Sequence, residues 1–252
     1  MLRWPFRRVF ALGLVPLLVA AAPQAPADEP LRLLTNDNPP FSIVHGDRVG
    51  GLSVDVLKEM SARAEVPLTL EAYPWVRAYD EAQNRTDTCV FSAARLPDRE
   101  LLFSWVGPLA TNSWALFGRS DFPGTLNSLE EARRYVIGGE TEEAKTVYLI
   151  ARGFDIDRLP NDNLNPQRLV QGRIDLWVSG LQTAPAKAAE VGITAIKPVL
   201  VFRQEPIYLA CNPAVPARTI RQLQAALDAM RADGKLAAIT RRYQDPAGAP
   251  VD

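Results

Sequence analysis

Residues 92–100 read SAARLPDRE and carry two arginines four apart, Arg95 and Arg99, on either side of a proline. They follow the apolar run CVFSAA. An arginine stays charged at any physiological pH, and its planar fork meets a carboxylate with two parallel hydrogen bonds. Two readings follow from the stretch alone. It is an anion clamp at the mouth of a strand, or it is a solvated turn in which Arg95 and Arg99 pair with Asp98 and Glu100.

Other reactive constellations are few. His45 is the only histidine of the 252 residues, and the only cysteines are Cys89 and Cys211. That set holds no zinc or copper site, and no metal or other cofactor is expected. A Ser-His-Asp triad would have to use His45, in the turn-like HGDRVGG. The two cysteines form one disulfide in an oxidising compartment or remain buried thiols.

The N-terminus reads MLRWPFRRVFALGLVPLLVAAAPQAPADEP. Three arginines precede an apolar run too short to span a bilayer comfortably. Small residues follow at Ala25 and Ala27, so residues 1–27 read as a secretory signal peptide. No later segment reaches the apolar length of a membrane helix. Of the 28 basic and 29 acidic residues, the signal takes three basic ones. The mature chain then holds 25 basic against 29 acidic residues, a net charge of −4, and no nucleic-acid partner is expected.

The elements that position these groups alternate. LRLLTN (31–36) is a strand that runs into the proline-containing loop NDNPPF, and GDRVGG is a turn. LSVDVLKEMSARAEV spaces Val54, Leu57, Met60 and Ala64 as a helix, with Ser53 as its expected N-cap. LTLEAYP is a strand, VRAYDEAQN a helix, and DTCVFSA (87–93) a strand covered on both faces. Residues 103–124 are extended and aromatic. SLEEARR, ETEEAKTVYLIARG and LQTAPAKAAEVG are read as helices, and NPQRLVQGRIDLWVSG as a helix ending at Gly172 and then a strand. ITAIKPVLVFRQEPIYLACNP is extended again, and residues 219–244 form two helices broken at Asp233-Gly234. Strand–helix alternation of this kind implies right-handed crossovers and α/β units with parallel sheets.

In order and spacing, these segments resemble the periplasmic solute-binding proteins of polar amino acid importers, family 3. The resemblance is carried by the first strand with NPPF, GLSVDV, the PW turn and DTCVFSAARLPDRELLFSW. It continues through IGGETEEAKTVYL, QGRIDLWV and DGKLAAITRRY, so that it spans about residues 30 to 245. It implies an α/β, two-lobed periplasmic-binding-protein fold (type II), with two parallel-rich sheets joined by two crossing strands. Lobe 1 would be 28–115 plus 206–252, and lobe 2 would be 116–205. The implied protein is a periplasmic monomer without catalytic activity. It would capture a small polar or anionic solute, an amino acid or related carboxylate, and deliver it to an inner-membrane ABC transporter permease. Two alternatives stand beside it: a dehydratase-like enzyme on the same fold, using Glu140, Glu142 or Glu143, and a soluble sensory module that docks on a receptor.

The resemblance also implies a ligand set. Arg99 falls on the arginine that binds the ligand carboxylate, with Arg95 as an extra cation one turn earlier. Ser92 would offer a hydroxyl or backbone group to the same carboxylate. Phe41 and Trp75 would pack on the ligand body, and Asn36 and Asn38 would reach it from the end of the first strand. Thr141 would complete the carboxylate site from lobe 2 with a helix-opening amide, and Glu140 would favour a cationic ligand. One position departs from the pattern: where an acidic residue should meet the ligand ammonium, this chain has Gly180, preceded by Ser179. Asp175 falls on an earlier, structural aspartate, and Trp177 offers an aromatic face in compensation.

Overall fold

The computed structural model describes residue 1 and residues 29–243. The signal peptide expected over 1–27 lies, apart from Met1, outside the described residues. The chain opens with β1 (Leu31–Thr35), a hairpin of β2 (Ile43–His45) and β3 (Arg48–Gly50), and α1 (Leu52–Ala64). Then come β4 (Leu68–Ala72), α2 (Trp75–Asn84), β5 (Thr88–Ala94) and the long strand β6 (Ser104–Arg119). The middle of the chain holds β7 (Ile137–Glu140), α3 (Ala144–Ile150), β8 (Ile156–Leu159), α4 (Asn165–Val170), β9 (Leu176–Gly180) and α5 (Thr183–Glu190). The second long strand, β10 (Ile196–Cys211), leads to α6 (Ala217–Ala232) and α7 (Lys235–Arg242). Among the described residues no helix is long and apolar enough to cross a membrane.

The strands follow one another in the order β4-β1-β5-β10-β6-β9-β7-β8. β4, β1 and β5 are parallel, as are β8, β7 and β9. The two long strands pair antiparallel along their whole length. At one end β10 pairs with β5 through residues 207–211, and at the other β6 pairs with β9 through residues 114–117. The two expected sheets are therefore one continuous ladder, because the crossing strands carry the hydrogen bonding from one lobe into the other. Between these ends, residues 111–113 and 204–206 pair with each other and with no third strand, although the Ser113 carbonyl also takes the Leu181 amide at 2.7 Å. A two-stranded ribbon without flanking strands is the most easily bent part of such a ladder.

Each side of the ribbon has its own core. Leu33, Leu57, Met60, Leu209 and Leu227 belong to one, and Leu116, Ile137, Leu149, Leu176 and Val199 to the other. The helical spacing read in α1 is the face that is buried: Val54, Leu57 and Met60 are inside and Ala64 packs at the edge. The helix starts one residue before the expected cap, with Gly51 as its N-cap at φ 106°. A Cβ on Gly51 would stand 2.8 Å from the Phe41 carbonyl oxygen, so only glycine fits. Ser53 falls in the first turn instead, and its hydroxyl shares a 3.0 Å hydrogen bond with that of Ser92 on β5.

Cys89 and Cys211 are joined by a disulfide across β5 and β10, where the two residues stand directly opposite each other. The segment GDRVGG lies in the β2–β3 hairpin rather than in a bare turn. The helix expected for SLEEARR is only a 3-10 stretch over Glu130–Arg134.

Candidate functional site

A narrow crevice of about 30 Å³, open to solvent on one side, lies between the two cores. Trp75, Ser92 and Arg99 line it from one side; Glu140, Lys145, Asp162, Ser179, Thr183 and Lys187 line it from the other. Asn36, Asp37 and Asn38 close its mouth at the end of β1. Strand ends and the loops after them supply most of these groups, as expected where the carboxyl ends of parallel strands converge, and Trp75, Lys145, Thr183 and Lys187 come from the helices that follow.

Of the two arginines in SAARLPDRE, Arg99 is the one that turns into the crevice. It is 4% exposed, and its Nη2 donates to the Glu142 carbonyl across the crevice at 2.9 Å. Its guanidinium carbon lies 4.9 Å from the centre of the Tyr79 ring. Its Nη1 is buried and has no hydrogen-bond partner. A desolvated guanidinium with an unmet donor is costly until an acceptor arrives, and an anion in the crevice would be that acceptor. Arg95 behaves differently. Its guanidinium is paired to Glu100 and lies outside the crevice lining, so the solvated-turn reading describes it.

Contacts across the crevice are few and specific. Trp75 Nε1 donates to the same Glu142 carbonyl at 3.1 Å. Glu142 has φ 59°, a left-handed conformation that presents this carbonyl to both donors. On the opposite rim Thr183 Oγ1 donates to Asn38 Oδ1 at 2.9 Å. Ser92 also sits at positive φ, 58°, within β5. Sparsely populated backbone of this kind at a cleft residue costs of order 1–3 kcal/mol and marks functional positions.

The second side is dominated by charge. Glu143 caps α3 by accepting from the Lys145 amide at 2.8 Å, and its other oxygen takes the Lys145 ammonium at 2.6 Å. Burial pushes its carboxyl up, but the charge and donors of Lys145 more than offset this and hold it below the ordinary range. Glu140, the last residue of β7, is 8% exposed, and its carboxyl accepts no hydrogen bond from a described residue. Burial, reinforced by the charge of Asp162, raises its carboxyl to about 8. Asp162 is held by Trp177 Nε1 at 2.8 Å and Asn165 Nδ2 at 2.7 Å. The Ser179 hydroxyl is buried in the crevice wall without a partner.

Several sequence expectations change on this geometry. Trp177 is fully buried and supports Asp162 from behind, so its ring offers no face to a ligand. Phe41 is packed beside Leu52 and Leu109, outside the crevice. Thr141 continues the β7–β8 pairing, its amide and hydroxyl both donating to the Leu159 carbonyl. It cannot open α3, which starts only at Ala144 because Glu143 takes the cap. Of the three acids considered for catalysis, Glu142 is exposed and Glu143 is tied to Lys145, which leaves Glu140. Asp175 anchors the Val136 amide at 2.9 Å, a structural role.

Sequence reasoning passed over Lys145, Asp162 and Lys187. A signal existed for Lys187: it falls on the buried face of α5 with Thr183, Ala184 and Ala188, at i, i+3 and i+4 spacing. A lysine on an apolar helical face points either to a neighbouring charge or to a cavity.

A sequence model of the bacterial extracellular solute-binding proteins, family 3, matches residues 31–246. A search of curated proteins finds no match. Among solved structures, a histidine kinase sensor domain with similarity to periplasmic binding proteins aligns at TM-score 0.79 and 17% identity. The alignment covers 85% of this chain and 95% of that one. An ancestral arginine-binding protein bound to arginine aligns at TM-score 0.74 and 18% identity, over 84% of this chain and 97% of that one. The GluR0 ligand-binding core from Nostoc punctiforme, in complex with L-glutamate, aligns at TM-score 0.74 and 18% identity. It covers 86% of this chain and 100% of its own. At these identities the structural likeness shows the fold: α/β, two-lobed, the type II periplasmic-binding-protein arrangement. With the family match spanning nearly the whole described chain, this protein belongs to the bacterial extracellular solute-binding proteins, family 3.

Proposed function

We propose that this chain is a periplasmic binding protein, without catalytic activity, that captures a small solute bearing a carboxylate in the crevice between its lobes. It would hand the solute to an inner-membrane ABC importer. The observation that carries the reading is Arg99: buried, facing the crevice, with one donor tying the lobes together and the other unmet. An anion bound there neutralises the guanidinium and stabilises the closed state in which Arg99 and Trp75 reach Glu142. Ser92 and Asn36 are the neighbouring groups for the same anion. The lobes would be 28–115 plus 206–252 and 116–205, with bending in the ribbon of residues 111–113 and 204–206. The expected signal peptide would place the protein in the periplasm.

A thermal-shift screen of the processed chain against amino acids, small carboxylates and aromatic acids tests this. A ligand at 100 times its Kd stabilises by about 2.7 kcal/mol. For a chain of this size that is a rise of about 5–11 °C. If no carboxylate shifts the wild type, or if one shifts an Arg99→Met variant equally, the reading fails. The likeness to a histidine kinase sensor domain favours a second reading, a solute sensor that signals to a receptor in trans. Uptake of labelled solute in cells with and without this protein separates transport from sensing.

A further inference from the structure

Between the two arginines of SAARLPDRE stands Leu96, which is 6% exposed. Ala94 ends β5 on the first side of the ribbon, where β5 pairs with β10, and Leu96 follows it. Yet both belong to one buried cluster with Trp114, Ala144, Tyr148 and Phe202. Trp114 and Phe202 lie beyond the ribbon on β6 and β10, and Ala144 and Tyr148 lie on α3. The rings of Trp114, Tyr148 and Phe202 meet one another with centroids 5.5, 6.1 and 6.3 Å apart. Arg203 covers them, its guanidinium carbon 5.3 Å from the Trp114 ring centre and 4.8 Å from that of Tyr148, with its Nε paired to Glu205. An aromatic socket on one side of the ribbon is thus filled by a leucine from the other.

We propose that Leu96 is a positioning residue for closure: it seats in this socket when the two sides come together, so that the chain itself, and not a solute alone, holds the crevice shut. This role rests on the reading that the crevice shuts around a solute by bending at the ribbon. At about 30 Å³ the crevice has room for roughly two waters, so its sides must part to admit an organic solute. Parting them withdraws Leu96 from the rings and exposes apolar surface on both sides, which water opposes. The same movement is tied to Arg99, whose amide donates to the Leu96 carbonyl at 2.9 Å. Ala144 in the socket is also close in sequence to Glu142, whose carbonyl takes Arg99 Nη2 at 2.9 Å. Seating Leu96 therefore brings the Arg99 guanidinium to its acceptor.

Withdrawing a fully buried leucine into water shifts an equilibrium about ten- to a hundredfold. Alanine at position 96 keeps the backbone turn and forfeits most of that. A solute that binds the shut form binds more weakly in proportion as that form is less populated. Leu96 is not among the residues that line the crevice, so the factor is the same for every solute. A residue that touched the solute would discriminate between solutes instead.

The test uses the processed chain without added solute, unfolded in guanidinium and refolded to strip any bound molecule. Spin labels on Thr86→Cys and Asp155→Cys, exposed positions just ahead of β5 and β8, report the distance between the two sides by pulsed electron resonance. The native cysteines are bridged and take no label. A short-distance population should be present, and Leu96→Ala should cut its ratio to the long-distance one by about tenfold or more while the melt stays cooperative. Leu96→Met keeps the volume and should hold the ratio within about threefold of the parent. Tyr148→Ala breaks the socket from the other side, should act as Leu96→Ala does, and stands in for it if Leu96→Ala does not fold. An unchanged ratio in either folded alanine variant overturns the inference, because Leu96 then only fills space. So does a parent protein that shows the long distance alone, since a solute would then do all the closing. If neither alanine variant folds, the cluster is a core and not a closure, and the inference falls. None of these outcomes touches the Arg99 reading, which stands or falls on carboxylate binding by Arg99→Met.

Discussion

Replacing Arg99 by methionine separates a binding role from a structural one, because the two predict different losses. Methionine keeps most of the stem volume and removes the guanidinium. The folded state then loses the 2.9 Å bond to the Glu142 carbonyl, about 1.5–3 kcal/mol for a charged donor. It also loses the stacking over Tyr79, about 0.5–2 kcal/mol. Against this, a buried cation with an unmet Nη1 disappears, which relieves about 1–3 kcal/mol. Together these run from about 1 kcal/mol of gain to about 4 kcal/mol of loss, so the melting temperature should fall by no more than about 16 °C. Binding has no such offset. Removing one partner of a buried, hydrogen-bonded charge pair costs about 2–5 kcal/mol. That is roughly a thirtyfold to several-thousandfold loss of affinity for the carboxylate solute. Calorimetric titration and a melting curve on the same preparation give both numbers. A melting temperature more than about 16 °C lower, with affinity changed less than threefold, would refute the reasoning and make Arg99 a structural residue.

Three further outcomes are expected. Trp75→Phe keeps the ring near Tyr79 but removes the Nε1 donor to Glu142; affinity should drop about two- to tenfold with little change in melting. An unchanged affinity would mean that this contact does not favour closure. Gly180→Asp should destabilise by about 1–3 kcal/mol, since even its Cβ collides with Thr183 and Asn112. A Gly180→Asp variant as stable as wild type would mean that Thr183 and Asn112 move aside. The denatured, unreduced protein should show no titratable thiol. Reduction should lower the melting temperature, because the Cys89–Cys211 bridge spans 122 residues, worth up to about 5 kcal/mol of chain entropy. Two free thiols per chain would contradict the bridge.

Much of the fold was legible because it rests on local patterns. The apolar spacing of α1, the all-buried run of β5 and the Asp233-Gly234 break between α6 and α7 each follow from neighbours in sequence. Elements that failed were those whose hydrogen bonding is decided elsewhere. SLEEARR stays a 3-10 stretch, and the β2–β3 hairpin lies hidden in a turn-like segment. Among the site residues, Arg99, Ser92, Trp75, Asn36 and Glu140 come together in the crevice. Arg95, Phe41, Thr141 and Trp177 do not line it, because each is taken by a nearer partner: Glu100, the pocket beside Leu109, the Leu159 carbonyl and Asp162.

By itself, then, the sequence determined the α/β class, the family resemblance and the order of the elements, because hydrophobic period and turn chemistry act over a few residues. It also marked Arg99 as a cation at a strand's mouth. Which of the two arginines is desolvated was decided only in three dimensions. So was the placing of Glu140, Asp162, Lys145 and Lys187, four charges from separate elements, in one crevice. Burial and charge proximity depend on how distant segments pack. That packing leaves the Glu140 carboxyl without a donor and Arg99 Nη1 without an acceptor, on opposite walls of the same space.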